Sequence, residues 1–323
     1  GDPIFEDMPD GTRREGYVLF EDPYWAPGET VKVCALAARL APVANNGATC
    51  NTPQGMTSGD CGCGPNLQYC MSPDSAVAIE KSLREQVLRM IKKPIKAGRS
   101  YYEALLDDHE ELNGPLIHYY RHLVQMALDP IIQIPPVPAT FLPTDVPFTD
   151  PTWTSYKRSS EHSGILTSMA YLLRFMSSRS RANRFYNAFL CSPFQAPDAA
   201  LPSPNDECSQ EPDLRFRCGC SACHAALEPA SAYWGRFAES GSLYLNAFQF
   251  PEFRQDCATC RTTPGAQCDF ICERFYVTEA AHPKEEPYVG KLRTLVYRGE
   301  GELSDMQAGP RALVTDMIEL GRM

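Results

Sequence analysis

Three cysteines and a histidine fall within seven positions, Cys218, Cys220, Cys223 and His224. Cys220-Ser221-Ala222-Cys223-His224 is C-x-x-C-H, the spacing of c-type haem attachment. Two thiols three positions apart can each add to a haem vinyl group, and the adjacent imidazole then lies beneath the iron as proximal ligand. Chance placement of this chain's cysteines and histidines would produce the motif in about one such chain in a hundred. Two other readings stand beside it. One is a disulfide with an incidental histidine. The other is zinc held by Cys218, Cys220, Cys223 and His224, for which Cys218 and Cys220 stand closer than the usual ligand spacing. The expectation is one covalent haem c, with Cys220 and Cys223 as thioethers and His224 on the iron.

The chain has 14 cysteines, more than a reducing compartment would leave as stable thiols, so an oxidising compartment and disulfides are expected. They form three blocks: Cys34, Cys50, Cys61, Cys63 and Cys70; Cys191, Cys208, Cys218, Cys220 and Cys223; Cys257, Cys260, Cys268 and Cys272. With Cys220 and Cys223 on haem, an even number remains and Cys218 is left to a disulfide. If the last four pair among themselves, parity requires at least one bridge between the first two blocks. The last block has a second C-x-x-C, but Arg261 stands where a proximal histidine would be needed. Its four cysteines suit two local disulfides, with zinc as the alternative.

Composition excludes several function classes. A net charge of −10 gives no general attraction to nucleic acid or to an anionic membrane surface. No apolar run reaches the roughly 20 residues needed to span a bilayer, so no transmembrane segment is expected. The first residue is Gly1, consistent with a removed export signal and a periplasmic, extracellular or cell-surface location. The 28 prolines imply long irregular connections that find order against another subunit.

The elements that must position the motif read as mainly α. Residues 1–73 are a cysteine-rich, disulfide-pinned irregular module with a short strand at "ETVKVCAL". Residues 74–128 form a helical domain. Its first helix is capped by Asp74 or Ser75 and stopped by Pro94; its last is capped by Asn113. A shorter helix is expected over "SYYEALLDDHEEL". Residues 129–153 are a proline-rich connector. Residues 154–323 form a helical, cytochrome-c-like haem domain with a disulfide-rich C-terminal part. Helices are expected in "SGILTSMAYLLRFM" and "SRANRFYNAFLC", a short helix ended by Pro229 at the motif, and a strand pair in "YVGKLRTLVYRGEGE". The closing "GPRALVTDMIELGRM" reads as a helix of which only part is present.

Residues 95–323 resemble the planctomycete and myxobacterial c-type cytochromes long catalogued as domains of unknown function. Three stretches carry the likeness. In "AGRSYYEALLDDHEELNGPLIHYY" the matching positions are Ser100, Tyr101, Leu105, Leu106, Asn113 and Leu116. In "HSGILTSMAYLLRFMSSRSRANRFYNAFLC" they are Gly164, Leu166, Thr167 and Arg181. Around the haem motif, Cys220, Cys223, His224, Pro229, Phe237 and Gly241 keep the family's spacing, while Glu228 replaces its Asp and Ser231 a common glycine. The resemblance implies an exported, mainly helical haem domain that moves electrons. It implies no substrate.

Around the iron, His162, just before the Gly164 helix, is the first choice for the distal ligand, with Met169 as alternative. A capping or solvent-facing role for His162 is the competing reading. Met306, His118, His122 and His282 are further candidates, and a five-coordinate site stays open. Arg179, Arg181 and Arg184 are candidate partners of the haem propionates, because guanidinium forks match carboxylates; a solvated basic face is the alternative. Tyr233, Trp234 and Phe237 are expected to wall the haem. The leading expectation is a monohaem electron carrier serving a redox partner protein or a larger multi-subunit assembly. The alternatives are a peroxidase-like haem enzyme and a structural, disulfide-rich subunit in which haem organises the fold.

Overall fold

Ser72 begins the longest helix of the N-terminal half, because its side chain accepts the Ser75 backbone N–H and Pro73 occupies the first turn, where no donor is needed. This computed structural model describes residues 5–39, 43–44, 47–48, 61–63, 65–67, 72–126, 134–195 and 202–323, except for the side chains of 122–126. Helix accounts for 43% and strand for 11%, so the chain is mainly helical. It divides into two units, Gly1–Ser159 and Ser160–Met323.

In the first unit, β1 (Phe5–Asp7) pairs antiparallel with β2 (Arg13–Glu15), and β3 (Tyr17–Glu21) with β4 (Thr30–Cys34). The expected single strand is therefore one arm of a hairpin. The capped helix α1 spans Pro73–Lys96. Ser72, rather than Asp74 or Ser75, is its cap, and Pro94 lies inside its last turn instead of before its end. A proline there forfeits one hydrogen bond but lies only two residues from the terminus, so the loss is small.

The region expected as one short helix splits into α2 (Glu103–Leu106) and β5 (His109–Leu112). Asn113 then caps α3 (Gly114–Met126) by accepting the Leu116 N–H. β5 pairs with β6 (Thr154–Lys157). That pairing holds residues expected in the haem domain within the first unit, and moves the boundary to Ser160.

The second unit starts with a tight turn, Gly164–Thr167, and then α4 (Met169–Arg174). Next comes α5 (Ser178–Phe189), whose first turn is closed by reciprocal hydrogen bonds between Ser177 and Ser180. The motif helix α6 spans Ser221–Ala232 and packs on α5. Pro229 is inside this helix and does not end it. Two short helices follow, α7 (Gln255–Thr259) and α8 (Phe270–Phe275). Disulfides Cys257–Cys272 and Cys260–Cys268 fasten this segment, so these four cysteines are paired rather than available to zinc.

The strand pair expected around residues 288–302 is absent. Its residues make a turn at Arg293–Leu295 and isolated bridges from Lys291 to Phe253 and from Leu292 to Tyr276. The last helix, α9 (Glu300–Glu319), breaks at Gly309, whose φ of 71° suits a residue without Cβ, immediately before Pro310. Trp234, Phe185, Phe237, Leu172, Leu313 and Val314 are buried in this unit's core. Among the described residues no helix is long and apolar enough to cross a membrane.

Candidate functional site

The chain reaches the motif through a pinned turn. Cys208 and Cys218 form a disulfide, the Cys218 N–H donates to the Cys208 carbonyl at 3.1 Å, and Gly219 takes φ +74° to reverse the chain. Cys220 then caps α6. The His224 N–H donates to the Cys220 carbonyl at 3.0 Å, so Cys220, Cys223 and His224 share one helical face at the i, i+3 and i+4 positions.

Cys220 and Cys223 are free thiols of intermediate exposure, and the Cys223 Sγ lies 3.3 Å from the Gln195 carbonyl oxygen. Cys34 and Cys191, one from each of the first two cysteine blocks, are also free and are exposed. Cys61 and Cys63 are disulfide-bonded; Cys50 and Cys70 lie outside the described residues.

One turn beyond His224, the same face presents Glu228. The His224 Nδ1 is 2.6 Å from Glu228 Oε1. The side chain of His224 is 21% exposed and that of Glu228 only 8%, so the carboxylate forms the buried floor beneath the ring. Arg179 on α5 donates from Nε to the same oxygen at 2.5 Å, and the Arg298 guanidinium stands 3.7 Å from Oε2. Burial opposes the charge of Glu228, but the hydrogen bonds from Arg179 and His224 and the two guanidiniums outweigh it and hold the carboxyl below its ordinary value. With Nδ1 engaged by a carboxylate, Nε2 is the ring nitrogen left for a metal.

The donor set therefore fits haem c. Two unpaired thiols share one helix face with an oriented imidazole, while Cys218, separated from Cys220 by Gly219, is held in its own disulfide. No family model, curated protein or solved structure matches this chain.

The other expected site residues have different fates. Arg179 reaches the motif, but through Glu228 rather than toward a propionate. Arg181 is fully buried, and its guanidinium donates to the carbonyls of Phe175, Phe237, Leu172, Ala238 and Gly241. Burial pulls it down to about 10. It ties α4, α5 and the loop after Phe237 together, with its guanidinium directed at backbone carbonyls. Arg184 places its guanidinium 5.9 Å from the centre of the Phe175 ring.

Trp234 is 0% exposed and donates from Nε1 to the Leu166 carbonyl, and Phe237 packs edge-on against the His162 ring. His162 and Met169 are buried in the same core. Trp234 follows the end of a helix whose first turn carries His224, on the order of 15 Å along the axis. These residues thus form the core that supports α6. Tyr233 donates to Asp316 at 3.2 Å.

Met306 is buried against Gly235, where an added Cβ would meet its sulfur at 2.5 Å. His118 belongs to the first unit, bonded through Nε2 to the Val146 carbonyl and stacked on Tyr24. His282 accepts the Lys284 N–H at a turn. The side chain of His122 lies outside the described residues.

Sequence reasoning missed Glu228 as a partner of His224. The i, i+4 spacing was available as a signal, since even a helix ended by Pro229 contains both residues. A cavity of about 640 Å³ in the same unit has Glu228, Ser231 and Gly235 in its wall; Cys220, Cys223 and His224 are not part of that wall.

Proposed function

We propose that the chain is a monohaem c-type cytochrome of the periplasm or cell surface. Cys220 and Cys223 carry the haem thioethers and His224 binds the iron. The observation that carries this reading is the arrangement of the motif: Cys220 and Cys223 are unpaired, as Cys34 and Cys191 also are, and they share a helix face with a His224 whose Nδ1 is held 2.6 Å from Glu228, while the neighbouring Cys218 is paired with Cys208. The likeness of three sequence stretches to c-type cytochromes supports it. The bound haem would supply a one-electron couple. Glu228 orients the imidazole, Arg179 and Arg298 hold Glu228 from other elements, and the core around Trp234 fixes the helix that carries His224 and Glu228. Electron transfer to a partner protein or within a larger assembly is the activity.

A pyridine haemochrome assay on the full chain, made in a host that attaches haem c, tests the reading. A covalent haem lost in Cys220→Ser and Cys223→Ser supports it. Wild-type chain without covalent haem overturns it.

A second reading is favoured by one observation. A carboxylate on the Nδ1 of a proximal histidine strengthens electron donation to the iron more than a neutral carbonyl would, which suits a haem enzyme acting on peroxide. A five-coordinate ferric spectrum that changes on adding peroxide would select this reading, and a six-coordinate, unreactive one would select the carrier.

A further inference from the structure

The 640 Å³ cavity of the second unit is within the range of small-molecule sites, and five guanidiniums belong to its wall: Arg179, Arg215, Arg274, Arg293 and Arg298. Three are matched by carboxylates. Arg179 bonds Glu228 at 2.5 Å, Arg215 bonds Asp213 at 2.7 Å, and Arg298 lies 3.5 Å from Glu302. Arg274 and Arg293 form no ion pair among the described residues. Arg274 donates to the Glu239 carbonyl at 3.3 Å and Arg293 to the Glu273 carbonyl at 3.1 Å. Arg293 is thus anchored on the residue that precedes Arg274, which brings two like charges to one stretch of wall.

The wall's remaining carboxylates make no ion pair with Arg274 or Arg293 among the described residues. Glu239 accepts the Ser178 N–H at 3.1 Å, Glu273 bonds Arg261 at 3.3 Å, and Glu285 accepts from Tyr297 Oη and the Ala281 N–H at 3.0 Å each. Beside Arg293, Thr294 is also part of the wall, and its hydroxyl is buried with no hydrogen-bond partner among the described residues. Arg274 and Arg293 are both exposed, at the mouth of the cavity, and partial burial together with the charge of Arg274 holds Arg293 below its ordinary value. Leu214, Leu245, Phe275 and Val296 give the same cavity an apolar side.

We infer that this cavity is a binding site for a small organic oxyanion. Arg274 and Arg293 grip its carboxylate or phosphate group, and the aliphatic remainder lies against Phe275 and Val296. Planar guanidinium forks suit both anions. Neither the thiols nor His224 enter its wall, although Glu228, Arg179 and Arg298 do.

Equilibrium dialysis of the full chain at low ionic strength, with labelled succinate and separately with labelled inorganic phosphate, tests it. One-to-one binding of at least one anion is expected, and the tighter of the two identifies the group recognised. Arg274→Gln and Arg293→Gln each weaken binding by about tenfold, the worth of one charge-assisted contact. Arg84→Gln, on an exposed helix face of the first unit, leaves it unchanged. Should Arg293→Gln fail to fold by circular dichroism, Arg293→Lys keeps the charge without the fork and weakens binding several-fold. No binding of either anion overturns the inference, as does equal weakening by Arg84→Gln and the cavity variants, or full affinity in folded Arg274→Gln and Arg293→Lys.

Discussion

Glu228 Oε1 lies 2.6 Å from His224 Nδ1, one helical turn further along α6, and two arginines from other elements fasten that carboxylate in place. A histidine held this way has its ring orientation fixed before any metal arrives, and its free nitrogen is made a stronger donor. Replacing Glu228 by Gln keeps a hydrogen-bond partner while removing the charge. Covalent haem is expected to persist in Glu228→Gln, with the midpoint potential shifted positive by on the order of 60 mV, equivalent to a tenfold change in a one-electron equilibrium. Spectroelectrochemical titration reads the shift. An unchanged potential in a haem-loaded variant would show that the contact only positions the ring.

The sorting of the thiols gives a second prediction. Alkylation of the denatured, unreduced chain should label Cys220 and Cys223 in haem-free protein and neither of them in haem-loaded protein. Cys208, Cys218, Cys257, Cys260, Cys268 and Cys272 should label only after reduction. Peptide mass spectrometry distinguishes these cases, and a Cys220–Cys223 disulfide in the folded chain would contradict them.

Arg181 should matter for stability alone. Arg181→Met leaves buried carbonyls of Phe237, Ala238 and Gly241 without their donor, at a cost of at least about 3 kcal/mol. Urea unfolding measures this. Arg179→Ala, whose side chain is half exposed, should cost much less and act instead on the haem spectrum through Glu228.

Acid sensitivity should trace in part to Asp213. Burial disfavours its charge, but hydrogen bonds from the Arg215 guanidinium and backbone prevail and hold it below its ordinary value of 3.8. A carboxyl depressed in the folded state contributes stability that is full above its unfolded value and is lost as pH falls through the folded one. Unfolding midpoints of the wild type should therefore drop as pH is lowered from about 4, and Asp213→Asn should flatten that drop while lowering stability at neutral pH. An identical slope in the variant would assign the sensitivity elsewhere.

The parts that were legible in the sequence are those set by local spacing. The C-x-x-C-H face, the pairing of the last four cysteines, the Asn113 cap and the mainly helical class all depend on residues a few positions apart. Pro229 and Pro94 misled because a proline rule describes an average cost, whereas α6 and α1 have enough packing to absorb one lost hydrogen bond. Glu228 was overlooked for another reason: its i, i+4 relation to His224 was present in the expected helix, but its burial and its two guanidinium partners come from distant segments. Arg181 could not be read at all: its acceptors are carbonyls scattered over some seventy residues, and a backbone carbonyl leaves no mark in a sequence. The strand pair near residue 290 failed for a similar reason, because its β-prone residues find isolated bridges to distant segments.

The Cys208–Cys218 bridge imposes a sequence of events on biosynthesis. Cys218 is separated from the thiol of Cys220 by a single glycine, so Cys208 has two nearly equivalent suitors while the chain is still unfolded. Pairing with Cys220 instead would remove one attachment thiol and leave Cys218 stranded. A thiolate this close can also attack a finished bridge, so the wrong pairing can be corrected by exchange as long as Cys220 remains reduced. On the proposed haem reading, a thioether at Cys220 would close that route of exchange. Maturation of this loop would then be a race between an oxidant and a ligation step, decided at two cysteines that differ in position by two.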